Sequence, residues 1–379
     1  KADGEILKIM QIEDVSVDSH TGKLIRIPLK DVDFKVNTEY FVEISATTKT
    51  DWGILPSAFE VAHEQITLTE KYTKIKTIIP SHSKLFVTIS NETIAISNKK
   101  FKIIFSKNEG QITSYNFNGN ELIKDGEGPK PNFWRAVTDN DFGNQMENNN
   151  IEWKKATLQS TVSSVDYETL ENGSVLLNVT YDLPGVNTSF LSNYIIYGSG
   201  VVQVQNTLNK TTFEGDIPRI GMRMQMPKTY NNLSYFGRGP WENYQDRNTS
   251  AFVDLYTSKV ADQYVPYIRP QENGYKTDAR WIALSNKNNI GLLFVSEEDQ
   301  DLGFSALHMK NEDFDSAEGL DYKTSKKLKH TIDIKERNLV QLNIDLGQRG
   351  VGGDDSWQAK PQEQYMYSGS EKHSYGFYM

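Results

Sequence analysis

The sequence predicts an all-β protein of antiparallel sandwich architecture. Three observations carry this reading. Apolar residues recur with period two, turn signals separate the runs, and sustained 3.6-residue periodicity is almost absent. Phe101, Ile103 and Phe105 alternate with polar neighbours such as Lys102 and Ser106. Val175, Leu177, Val179, Tyr181 and Leu183 alternate with Leu176, Asn178, Thr180 and Asp182. Val340, Leu342, Ile344 and Leu346 alternate with Gln341, Asn343 and Asp345. Each run has the pattern of a strand with one buried face. Asn108-Glu109-Gly110, Asn118-Gly119 and Glu171-Asn172-Gly173 supply turns. One or two short helices are expected at most, near Glu297–Asp301 or Ser316–Leu320.

Strands read before residue 80 at Leu24–Leu29, Tyr40–Thr47 and Glu64–Thr69. They suit a small sandwich of the immunoglobulin type, which needs about seven strands, so residues 1–80 read as an incomplete one. A break falls at Pro80-Ser81-His82-Ser83, and residues 81–379 read as one large β domain. Missing strands would leave a sheet edge and an apolar face near Leu24–Leu29 and Tyr40–Thr47, inviting dimerisation or disorder.

The chain has 379 residues and a net charge of −9. No basic excess is available for a phosphate backbone, which argues against nucleic-acid binding. There is no cysteine, which excludes disulfide scaffolds, thiolate zinc sites and cysteine nucleophiles. No apolar run is long enough for a spanning helix, so no membrane partner is expected. The 17 Phe, 19 Tyr and 6 Trp are a heavy aromatic load, common in β-rich and sugar-binding proteins.

Four segments concentrate chemistry-bearing residues. In Pro131 to Gly143, Asp139, Asn140 and Asp141 read either as a polar loop facing a ligand or as Asx turns. Asp-x-Asp oxygens suit Ca²⁺, but the full calcium-loop spacing is missing and no metal is assigned. Tyr235 to Arg247 carries Arg238, Glu242, Asn243, Asp246 and Arg247 among aromatic residues, either a polyol clamp or a structural ion network. Tyr264 to Gly274, with Glu272 and Asn273, has the same character. Gly347 to Trp357 is glycine-rich but lacks the phosphate-loop signature. Trp357 at its end either projects into a cleft, where an indole face stacks on a pyranose, or caps the core. The histidines have no metal spacing.

Taken together, these segments resemble the C-terminal part of the large bacterial β-galactosidases of glycoside hydrolase family 2. The resemblance rests on Arg135-Ala136 to Asp139-Asn140-Asp141-Phe142-Gly143, on Gly239-Pro240-Trp241-Glu242-Asn243-Tyr244-Gln245-Asp246-Arg247, on Tyr267 to Glu272-Asn273-Gly274, and on Gly352-Gly353-Asp354-Asp355-Ser356-Trp357. Upstream, Trp52-Gly53 to Leu55-Pro56 and Glu60 to Gln65 resemble the end of the family's linker sandwich. The resemblance implies a terminal β-supersandwich of galactose mutarotase-like fold. It implies that the catalytic glutamates, with the retaining two-carboxylate mechanism, lie on a (β/α)₈ barrel with no counterpart here. No catalytic residue and no cofactor are therefore assigned to this chain, while Mg²⁺ and Na⁺ remain open for the parent.

By resemblance, Trp357 is the tryptophan that enters the sugar pocket. Asp139, Asn140, Asp141 and Gly143 belong to a mobile loop beside it, although Asn144 to Asn148 departs from the family pattern. Arg238, Glu242, Asn243, Glu272, Asn273, Asp354 and Asp355 support the loops. The implied partners are β-galactoside sugars and the missing barrel and N-terminal domains, with a homo-oligomer open. The compartment is not specified. The alternative is a free-standing carbohydrate-binding module or separate small subunit. A mutarotase-like reading has only His308 and His330 as candidate acids.

Overall fold

The computed structural model describes residues 1–12, 15–69, 83–297, 300–317, 319–324, 329–355 and 357–379. The chain divides into two compact units, Lys1–Ile75 and Lys76–Met379. The expected break at residues 80–83 lies almost wholly outside the described residues.

In the smaller unit Phe41–Thr47 pairs antiparallel with Glu60–Thr67. The strand expected at Leu24–Leu29 does not form. Its backbone makes no ladder, because no neighbouring strand among the described residues offers one. Tyr40 and Phe41 are buried, but most large apolar side chains of the unit are not. Ile9, Leu24, Val36, Trp52 and Ile54 are all exposed, Ile54 at 97%. So much apolar surface is far from what an independent sandwich leaves in water.

Among the described residues the larger unit is all-β and built from three antiparallel sheets. The largest has nine strands in the order Phe252–Lys259, Asn232–Gly239, Trp281–Ser285, Gly291–Ser296, His373–Tyr378, Val202–Leu208, Thr188–Ile196, Val175–Leu183 and Thr161–Thr169. A five-stranded sheet runs Lys276–Ala279, Leu302–Leu307, Leu339–Gln348, Arg219–Pro227 and Lys130–Asn132. A second one contains Phe86–Ile89, Thr93–Ser97, Phe101–Ser106, Gln111–Phe117 and Asn120–Glu121. The period-two runs form strands as expected: Val175, Leu177, Val179, Tyr181 and Leu183 all face the core. Asn118 and Gly119 take positive φ at the hairpin before Asn120.

One core joins the sheets. Met222, Met224 and Met226 from the first five-stranded sheet belong to the same cluster as Val204, Ile282 and Phe377 from the nine-stranded one. Tyr235 packs edge-on against Phe304 across the two sheets at 5.0 Å, and the Tyr375 hydroxyl donates to the Ile344 carbonyl at 3.2 Å. The other five-stranded sheet is tied to the nine-stranded one by Phe105 on Tyr194 at 5.6 Å and by the Tyr181 hydroxyl on the Gly110 carbonyl at 2.6 Å.

Two expectations are corrected here. Helices are more numerous than expected, with Asp139–Gly143, Met146–Asn149, Ile151–Gln159 and Asn311–Phe314 among the described residues. The helix expected at Ser316–Leu320 does not form at its described residues, Ser316, Ala317, Gly319 and Leu320, while residue 318 and part of Glu297–Asp301 lie outside the described residues. The helix Ile151–Gln159 hides from a hydropathy pattern because its buried face, Trp153, Lys154, Ala156 and Thr157, is half polar. Lys154 sits there because Asp315 lies 3.0 Å from its ammonium and the Tyr322 ring 4.5 Å away.

The second correction concerns Leu339–Gln348, read as a strand with one wet face. Gln341, Asn343 and Asp345 are as buried as Val340 and Leu342. Loops and a polar network cover that face.

His373–Tyr378 pairs with Val202–Leu208 on one side and Gly291–Ser296 on the other, and so joins the two halves of the nine-stranded sheet. Phe377, fully buried, packs on Phe294 at 6.1 Å. Phe377→Ala is expected to cost about 3–5 kcal/mol, the range for removing a buried aromatic ring. Denaturant unfolding of the larger unit measures it, and a loss below about 1 kcal/mol would contradict the packing described.

Candidate functional site

The four chemistry-bearing segments, far apart in sequence, meet at one end of the larger unit. Three buried arginines join three of them, and the fourth, Tyr235 to Arg247, is tied in through Asp246 and Glu242. Arg135 forms a two-point pair with Asp141, Nε to Oδ2 at 3.1 Å and Nη2 to Oδ1 at 2.8 Å. Its remaining donors reach the carbonyls of Arg349 at 2.5 Å and Gly350 at 2.9 Å. Arg349 pairs with Asp216 at 2.5 Å and donates to Asn144 Oδ1 at 3.2 Å. Arg219 reaches Glu272 at 2.7 Å and the Trp134 carbonyl at 3.1 Å. Gln348 Nε2 donates to the same Glu272 oxygen at 2.9 Å. All three guanidinium groups are shut off from solvent. A buried charge survives only when paired and hydrogen-bonded, so each arginine fixes the loops that supply its acceptors.

The segment around Asp139 was expected to be a loop and is instead helical. Thr138 caps it: its hydroxyl accepts from the Asp141 N–H at 3.1 Å, and Asp141 Oδ2 accepts from the Thr138 N–H at 3.1 Å. The Thr-x-x-Asp spacing is the sequence signal that marks such a start. Asp141 is buried, which works against its charge, but Arg135 and Arg349 outweigh burial and hold its carboxyl below the ordinary 3.8. Asp139, more exposed, meets Arg269 at 2.9 Å, and Asn140 donates to the Val351 carbonyl at 2.9 Å. Both carboxylates are thus engaged by arginines. Gly143 ends this helix.

The other segments lock in the same way. Glu242 accepts from Arg247 at 2.6 Å, from the Tyr267 hydroxyl and from the Gly274 N–H at 2.8 Å. Asn243 Oδ1 accepts from the Thr277 N–H at 2.9 Å and hydroxyl at 2.7 Å, while its amide donates to the Trp241 carbonyl at 3.0 Å. Arg238 pairs with Asp278 and donates to the Ala251 carbonyl at 2.9 Å. Asn273 donates to the Gln271 carbonyl at 3.0 Å. Asp246 Oδ2 accepts from the Gly352 N–H at 2.7 Å, which ties the glycine-rich stretch to the Trp241-containing segment. Tyr244 stacks on Tyr275 at 5.5 Å, and Arg219 lies over the Tyr275 ring at 5.8 Å.

Beyond these anchors the glycine-rich loop reaches solvent. Trp357 is 82% exposed, so it does not cap the core. Asp355 Oδ1 accepts from the backbone N–H groups of Trp357, Gln358 and Ala359 at 2.8, 3.2 and 3.3 Å. These three bonds hold the Asp355 carboxyl below its ordinary range. Asp354 is exposed, and Ser356 lies outside the described residues. Trp241 at 77%, Ile268 at 84% and Ile332 at 77% are exposed too. Ile268 and Ile332 are neighbours, because the Thr331 hydroxyl donates to the Tyr267 carbonyl at 3.0 Å.

Sequence reasoning left Arg219, Asp216, Asp345 and Gln348 unassigned. The signal was weak: charged residues at alternate strand positions read as solvent-facing. Asp345 shows why that reading fails. It lies 3.0 Å from Arg219 Nε, and a Cβ at Gly221 would strike its Oδ1 at 1.8 Å, so only glycine fits opposite it. Burial raises its carboxyl most, Arg219 opposes, Glu272 reinforces, and the result is pushed up to about 7. His308 and His330 do not converge: His308 is buried with Nδ1 on the Leu339 carbonyl at 2.8 Å, and His330 is exposed.

The family model for the β-galactosidase small chain matches residues 97–379. The chain belongs to this family. The model for domain 4 of β-galactosidase matches residues 1–69. A β-galactosidase of Priestia megaterium is 31% identical over 366 residues, covering 96% of this chain and 33% of that protein. A β-galactosidase of Streptococcus thermophilus is 27% identical over 363 residues, covering 95% of this chain and 33% of that protein. The chain thus spans about a third of the length of these relatives. Among solved structures, a galactose mutarotase related enzyme from Lactobacillus acidophilus overlays with a TM-score of 0.40 at 11% identity, covering 76% of this chain and 96% of that one. In the larger unit three of the four motif segments share the buried arginine network, and the fourth joins them through Asp246 and Glu242.

Two outcomes follow from the network. Asp141→Asn removes the carboxylate charge and leaves Arg135 buried with one acceptor oxygen there, and is expected to cost about 3–5 kcal/mol in unfolding free energy. Asp345 titrates higher folded, about 7, than its ordinary 3.8. Its contribution is therefore fully present below about pH 4 and is lost as pH rises through about 7. Asp345→Asn should flatten the fall in melting temperature between pH 5 and pH 8. An unchanged fall would assign it to other groups.

Proposed function

We propose that this chain is the non-catalytic C-terminal part of a β-galactosidase that hydrolyses terminal β-D-galactosides. In this reading it completes one wall of a sugar pocket whose catalytic glutamates lie on a separate (β/α)₈ barrel and act by the retaining mechanism. The observation that carries the reading is Trp357. A large aromatic side chain stands almost fully in solvent at the tip of a loop, while the loop's base is pinned by Arg135 and Asp246. An unpaired indole on a fixed base suits stacking on the C–H face of a galactose ring or an acceptor. The apolar exposure of Trp241, Ile268 and Ile332 on linked segments suits a face covered by the rest of the protein. The exposed apolar side chains of the smaller unit suit the remaining strands of its sandwich in the same way.

Stacking contributes binding area and orientation but transfers no proton. Trp357→Ala in the complete enzyme is therefore expected to raise KM about three- to tenfold while kcat changes less. The 379-residue chain alone should show no galactosidase turnover. An unchanged KM and unchanged inhibition by acceptors would remove Trp357 from the pocket. Galactose binding by the isolated chain, read by Trp357-dependent fluorescence, would favour a binding module instead.

A further inference from the structure

The strand Arg219–Pro227 puts Ile220, Met222, Met224 and Met226 into the core and Arg223 and Gln225 onto the opposite face. In register with them stand Asn343 and Gln341, then Ser305, with Lys130 on the other side of Arg223. Asn343 is fully engaged: it accepts from Asn132 and Asn311, each at 3.1 Å, and donates to Ser305 at 2.9 Å. One step along the sheet this order stops. A cavity of about 230 Å³ opens over Gln225 and Gln341. Both residues are more than nine-tenths buried, and neither amide side chain hydrogen-bonds to any described residue.

Charged side chains wall this cavity. Glu127 is held there because the Gln225 N–H donates to its carbonyl at 2.8 Å, and its carboxylate takes Lys130. Glu312, on the short helix Asn311–Phe314, takes Arg223. Both carboxylates are therefore used. What remains is Lys310, which forms no ion pair within 4.0 Å among the described residues, and Arg223 Nε, which is buried and has no acceptor. Three cations face two carboxylates. The two amides open onto the cavity rather than onto a protein partner, and a buried guanidinium N–H without an acceptor is costly unless a ligand or ordered water meets it.

We propose that this cavity is a binding site for a compact hydroxylated anion, a monosaccharide carrying a phosphate or a carboxylate. The two amides offer donors and acceptors to hydroxyl groups, and Arg223 Nε with Lys310 offers the charge-assisted bonds that an oxyanion takes. A volume of about 230 Å³ is below the usual range for drug-sized ligands and suits one sugar ring. No residue of the loops bearing Trp241, Ile268 or Trp357 lines it, so the site stands independently of the proposed galactosidase role.

Calorimetric titration of the full chain with galactose 6-phosphate, galacturonate and neutral galactose tests the proposal. At least one anion should bind saturably, galactose at least about tenfold more weakly, and affinity should fall with added salt. The two anions distinguish phosphate from carboxylate as the recognised group. Arg223→Gln should weaken the anion at least about tenfold, and Trp357→Ala should leave it unchanged. Because Arg223→Gln also breaks an ion pair, Lys310→Gln is the second variant. It should weaken binding while the melting temperature stays put. Absence of saturable binding of either anion up to about 10 mM, or undiminished binding by Lys310→Gln, would overturn the site and leave a water-filled cavity.

Discussion

The loop end of the larger unit depends on one constraint: three guanidinium groups have been taken out of water and are held there by carboxylates and carbonyls. Arg135, Arg219 and Arg349 spend their donors on carboxylates and on backbone carbonyls of segments that otherwise share no strand. Such a cluster is a poor source of net stability, because desolvation offsets most of the attraction between the charges. Its value lies in geometry. A guanidinium presents a rigid fork, so a loop that slides loses an acceptor and leaves a buried charge unmet. The segments at Asp141, Glu272, Gln348 and Gly350 are thereby held in one arrangement.

This constraint also explains the five-stranded sheet beneath. An ordinary sandwich sheet has an apolar face and a wet one. Here the second face is polar and buried. Arg219, Gln348 and Asp345 meet the arginine network at one end, Asn343, Asn132 and Ser305 satisfy one another in the middle, and Gln225 with Gln341 meets a cavity at the other. The polar character runs without a break from the loops to the cavity. The row buries polar side chains in register across four strands, and Gly221 opposite Asp345 shows how little room the arrangement leaves.

Much of this was legible in the residues and some was not, for physical reasons. Strands with one apolar face, such as Val175–Leu183, are read correctly because hydropathy reports burial directly. The grouping of Arg135 to Gly143, Tyr235 to Arg247, Tyr264 to Gly274 and Gly347 to Trp357 was visible as composition, but not that they meet. Failures occur where polar residues are buried. Lys154 disguises a helix face, and Asp345 reads as solvent-facing. Leu24–Leu29 fails differently: its apolar alternation is real, but a strand is a relation between two segments, and the described residues supply no second one.

The proposed function rests on the contrast between the base of the glycine-rich loop and its tip. Gly350 and Gly352 are bound by Arg135 and Asp246, whereas Trp357 touches solvent. A side chain that must meet a ligand held by another domain gains from a fixed base, since less conformational freedom is lost on contact. It gains from an unoccupied face, since no contact must be broken first. Asp355 serves both needs by gathering the N–H groups of Trp357, Gln358 and Ala359, which shapes the backbone at the tip without covering the indole. The arginine network is therefore the part of the site that the chain completes by itself. Under the proposed role, the exposed indole of Trp357 is the part left for a partner surface to close.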